Sequence, residues 1–131
     1  MARDGAQQEM KELLGTVPYA FDRIPDEFVD SEWDLMKRMQ FGETLIPNRY
    51  KELIGVAVAA VTRCPYATRL HTEVARLYGA SEAEVAEAVH YAALVSGWST
   101  QLSGLAPDPD GFAAEVEKTV RHLARRMGVE P

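Results

Sequence analysis

The chain has 131 residues, of which 47% are hydrophobic and 26% charged, and its 14 basic against 20 acidic residues give a formal charge of −6. That balance is of one ordinary globular domain, 1–131, and it argues against nucleic acid or an anionic membrane surface as the main partner. One cysteine excludes an intramolecular disulfide framework, and no positively charged start leads into an apolar stretch, so a cytoplasmic protein is expected.

Glycine and proline divide the chain into helical segments, with no alternating β-branched run, and an all-α fold of about six to seven helices is expected. A short helix is expected over Gln7 to Leu14, then turns around Pro18 and Pro25. A second runs from Asp26 to about Phe41, with Phe28, Trp33, Met36 and Met39 as its apolar contacts.

Pro47 suits the first turn of a third helix that reaches about Thr62. Gly55, Ala57, Ala59 and Ala60 lie there among Leu53, Ile54, Val56, Val58 and Val61, so this helix is apolar on nearly every side and is expected to be central. The run from Leu53 to Val61 is nine residues, far below the roughly 20 that span a bilayer. No membrane partner is expected.

Cys64 takes the N-cap of a fourth helix, Pro65 its first position, and Gly79 a left-handed stop after Tyr78. Ser81-Glu82-Ala83-Glu84 is a capping box that starts a fifth helix, expected to run to about Ser96 and to break at Gly97. From Trp98 to Gly111 a short helical turn and loop are expected. A last helix carries Phe112, Val116, Val120, Leu123 and Met127 as one apolar stripe and stops at Gly128. So much apolar helical surface in a small chain implies a homo-oligomer; a compact monomer packed tightly through its small residues is the alternative.

Cys64 opens the most informative stretch, Cys64-Pro65-Tyr66-Ala67-Thr68-Arg69-Leu70-His71. Taken alone, a single cysteine reads as a small buried residue, or, at a helix N-terminus that favours a thiolate, as a reactive one. A second thiol at position 67 would make a redox pair; the residue there is Ala67. His71 shares the helix face of Cys64 and Ala67, but seven residues at about 1.5 Å each put the two backbones roughly 10 Å apart. Glu52, one residue before the apolar run, reads on its own as a surface carboxylate pairing with Arg49. His90 and His122 read as structural. The histidines and the cysteine form no metal-ligand spacing, and neither a metal nor an organic cofactor is expected.

The combination of Lys51-Glu52-Leu53-Ile54, Cys64-Pro65-Tyr66, His71 and Gly79-Ala80-Ser81 resembles the carboxymuconolactone decarboxylase and alkylhydroperoxidase D-like family over about residues 45–104. The resemblance implies an all-helical fold assembling into trimers or hexamers, and a catalytic set of Glu52, Cys64 and His71. In the peroxidase branch a cysteine pair reduces hydroperoxides with a proton relay through the glutamate and histidine, and the second cysteine usually attacks first. Ala67 occupies that place here.

Three readings follow. In the first, a one-cysteine enzyme reduces a hydroperoxide and is recycled by an external thiol reductant. In the second, a lyase or isomerase acts on a small organic acid or lactone through Glu52 and His71. The third is a non-catalytic oligomer. Tyr66, Ala67 and Trp98 are the expected substrate-pocket residues.

Overall fold

A computed structural model describes the chain from residue 2 to residue 131, with side chains from residue 3. Its elements are α1 (Ala2–Leu14), a 3-10 turn (Tyr19–Arg23), α2 (Asp26–Met36) running into a π turn (Lys37–Phe41), α3 (Asn48–Val61), α4 (Pro65–Leu77), α5 (Glu82–Leu105) and α6 (Pro109–Met127). The all-α class expected from the sequence is observed. The chain divides into two compact units, one up to Val89 and one from His90 onward.

The first unit holds an apolar core where α1, the 3-10 turn and α2 meet: Ala6, Met10, Phe21, Val29 and Trp33, with Leu14, Val17, Ile24 and Met36 packed against them. Trp33 meets Phe21 edge to face at 6.0 Å, a geometry worth about 1 kcal/mol beyond the buried area. The Trp33 indole N–H donates to Glu9 at 3.0 Å and Lys37 donates to the same oxygen at 2.7 Å, so the polar edge of the ring is satisfied where it reaches solvent. Arg3 ties the N-terminal helix down by donating to the carbonyls of Phe21 and Ile24 and to the Asp26 carboxylate.

Helices α3 and α4 form the other half of this unit and pack along each other. Lys51 anchors the start of α3, donating to the carbonyls of Met39 and Gly42 and to the Thr44 hydroxyl. The inner face of α3 is Glu52, Val56 and Ala59, all buried, whereas Ile54, Val58 and Val61 on the opposite face are about half exposed. The helix expected to be central is thus covered on one side within this chain.

Three boundaries differ from expectation: α1 begins at Ala2 rather than Gln7, and the end of α5 and the start of α6 differ for physical reasons. Gly97 does not break α5, which continues to Leu105; a single glycine lowers helix propensity by about 1 kcal/mol, less than a long helix tolerates. The stop comes at Ala106, whose φ is 47°, with Pro107 behind it. α6 then begins before Phe112, because the Asp108 carboxylate accepts from the Gly111 N–H at 3.0 Å and Pro109 fills the first helical position. The capping box is as expected: Ser81 N–H donates to Glu84 at 3.1 Å and Glu84 N–H to the Ser81 hydroxyl at 3.0 Å.

In the second unit the stripe on α6 is largely bare, with Val116 57% and Met127 72% exposed, and Leu94, Trp98 and Leu102 on α5 are also more than half exposed. Among the described residues no helix is long and apolar enough to cross a membrane.

Candidate functional site

The site is built where α3 passes α4. Glu52 is 1% exposed, and its Oε2 lies 2.6 Å from Nδ1 of His71, whose side chain is 21% exposed. A carboxylate so deeply buried needs a partner, because desolvation penalises an unpaired charge by several kcal/mol. The expected surface pairing with Arg49 is therefore not formed. Arg49 instead donates to the Tyr50 hydroxyl at 2.9 Å and lies 4.0 Å from Glu84. Position 52 falls on the inner face of α3 with Val56 and Ala59, where its carboxylate meets His71 of α4, while the half-buried Arg49 is engaged by Tyr50 and Glu84.

With Glu52 ionised, its oxygens only accept, and the hydrogen of this contact belongs to His71 Nδ1. Nε2 is then the nitrogen left to take up or release a proton. A carboxylate holding an imidazole in one tautomer and orientation is a common device for proton handling.

Cys64 is fixed by its backbone. The ends of α3 and α4 carry the same hydrogen-bond pattern: Cys64 N–H donates to the Ala59 carbonyl at 3.0 Å and Arg63 N–H to Ala60 at 3.2 Å, just as Ala80 and Gly79 donate back to Ala75 and Arg76. The left-handed position is glycine in one case, Gly79 with φ 89°, and Arg63 with φ 57° in the other. The Cys64 carbonyl also accepts from the backbone N–H and the hydroxyl of Thr68, both at 2.9 Å. Its backbone is extended, φ −107° and ψ 98°, and its thiol is not used in capping α4, so the sulfur stands at the first turn of that helix without a cap bond.

Half-buried Cys64 lines an open cleft of ≈ 490 Å³ together with Ala59, Ala60, Arg63, Thr68 and Arg69. Neither Glu52 nor His71 lines it. The fold thus joins Glu52 to His71 directly, while Cys64 heads the helix that carries His71. Half-buried Ala67 and Tyr66, which is 58% exposed, are not among the cleft residues. Trp98 is 59% exposed on α5, in the unit beyond Val89.

The sequence profile of the carboxymuconolactone decarboxylase family matches residues 28–107, which include Glu52, Cys64 and His71. The chain belongs to this family. A curated relative, uncharacterized protein 4 in the cox locus of Paracoccus denitrificans, is 35% identical over 80 residues, 61% of this chain and 68% of that protein. Among solved structures, the alkylhydroperoxidase AhpD core from Rhodospirillum rubrum matches with a TM-score of 0.71 over 86% of each chain at 20% identity, so the family fold is shared.

Two contributors were not read from the sequence. Gly55 faces the His71 ring, and a Cβ there would stand 2.7 Å from its Cγ. Thr68 locks the Cys64 carbonyl. A glycine inside an otherwise apolar helix, three residues after an acid, was the available signal for the first; nothing marked the second.

Proposed function

We propose that this protein is a one-cysteine thiol peroxidase of the alkylhydroperoxidase-like type, acting as an antioxidant. The observation that carries the reading is the buried Glu52 of α3 bonded at 2.6 Å to His71 of α4, the helix whose N-cap residue is Cys64. Free N–H groups at the start of α4 favour a thiolate at Cys64. The thiolate sulfur attacks the terminal oxygen of a hydroperoxide; the S–O bond forms as the O–O bond breaks, and the alkoxide leaves with a proton as the alcohol. His71 Nε2, with Nδ1 held by Glu52, takes the Cys64 thiol proton as the thiolate forms and returns it to the alkoxide, directly or by way of water. Cys64 is then a sulfenic acid. With Ala67 in place of a second cysteine, one external thiol condenses with the sulfenic acid, releasing water, and a second thiol frees Cys64 as the external disulfide departs.

A second reading, a lyase or isomerase acting on a small organic acid or lactone, is favoured by one feature: the Glu52–His71 pair is complete without any sulfur. Hydroperoxide consumption with a dithiol reductant separates the two. Peroxidase chemistry is lost in Cys64→Ser and strongly slowed in Glu52→Gln. A proton-transfer activity that survives Cys64→Ser and vanishes in Glu52→Gln would select the second reading.

The protein is further proposed to work as a trimer or hexamer in the cytoplasm. The bare apolar stripe of α6 supports self-association, and a single free thiol suits a reducing compartment.

A further inference from the structure

We infer that Gly55 is the positioning residue of the Glu52–His71 pair, its missing Cβ leaving the notch in α3 that the imidazole occupies. A Cβ at position 55 would stand 2.7 Å from both Cγ and Nδ1 of His71 and 3.0 Å from Cδ2. Carbon and nitrogen atoms in good contact sit about 3.5–4.0 Å apart, so the ring would have to move. One of the atoms met is Nδ1, the atom held 2.6 Å from Glu52. Displacing the ring therefore acts directly on the hydrogen bond that fixes the tautomer and leaves Nε2 free.

Position matters as much as size. Gly55 follows Glu52 by three residues, so acid and notch share one face of α3, and the ring lies across the turn between them. Alanine is the better helix former at an interior position, and nothing about the α3 backbone calls for glycine, since Gly55 is not among the positive-φ residues. By contrast Gly5, also helical, has nothing within 4 Å of where its Cβ would be. The inference holds whichever chemistry the pair serves.

The test is Gly55→Ala in two backgrounds, the native chain and the Glu52→Gln, His71→Ala double variant, with Gly5→Ala as the control for helix propensity. Gly55→Ala is expected to lower Tm in the native chain and to raise it once the imidazole is gone, as Gly5→Ala does. Nitrogen-15 spectra of labelled histidine in Gly55→Ala are expected to show His71 losing its fixed Nδ1–H pattern for the mixed tautomers of a free imidazole. Failure of Gly55→Ala to fold only where His71 is present also supports the notch. A Tm change of the same sign in both backgrounds, loss of folding in both, or an unaltered His71 spectrum would overturn it.

Discussion

The two halves of the first unit use burial in different ways. Where α1 meets α2, the fully buried side chains are Met10 and Val29, with Trp33 and Phe21 beside them, and the polar groups sit at the rim. Where α3 meets α4, one of the largest fully buried side chains is a carboxylate, and its partner is an imidazole that only a glycine leaves room for. The first arrangement is what stability alone selects. The second gives up an easier apolar contact to hold two proton-carrying groups in register, which is the mark of a site.

Four perturbations should break or sharpen this contrast. Trp33→Ala is expected to remove about 3–5 kcal/mol of stability, through lost area, the lost edge contact with Phe21 and the cavity left behind, as read by denaturant titration. His71→Ala is expected to remove about 3 kcal/mol, because it strands Glu52 at 1% exposure without a partner. Here the two regions diverge. Adding Glu52→Gln to His71→Ala should restore part of the loss by removing the unpaired charge, whereas no second truncation restores the Trp33 core.

Arg63→Gly tests the corner that presents Cys64. A left-handed non-glycine residue is strained by about 1 kcal/mol, and glycine removes that strain while loosening the unfolded chain, so a gain of somewhat under 1 kcal/mol in stability is expected. The smallest effect concerns acid. The bond from Lys37, then that from Trp33, holds the Glu9 carboxyl below its ordinary value, so its contribution is present above the usual carboxylate range and fades as pH falls through the lowered one. Glu9→Gln should therefore narrow the Tm difference between neutral and acidic solution.

The sequence carried the helical class, the capping box at Ser81, the glycine stop at Gly79 and the pairing of a cysteine with a helix start, because each rests on interactions within a few residues. It also carried the end of α3, expected at about Thr62 and observed at Val61, but not the left-handed residue behind it, which is Arg63 where a glycine would have marked the turn. It misplaces the end of α5, because Gly97 reads as a breaker while the actual stop, Ala106 at φ 47° before Pro107, carries no glycine. Read from its neighbours alone, Glu52 is a surface acid, and only the family resemblance places it in a site. Its partner is nineteen residues away on another helix, and no local pattern encodes that meeting.

The central claim is that the Glu52–His71 pair serves the sulfur of Cys64. Its most direct measurement is a single-turnover reaction of the reduced protein with a hydroperoxide, trapping the sulfenic acid on Cys64 with a dione reagent and following it by intact mass. The account predicts trapping much faster than on a free cysteine, slowed about 10²-fold or more in Glu52→Gln, the scale of lost general acid catalysis. Trapping no faster than on free cysteine, or equally fast in Glu52→Gln, would contradict it.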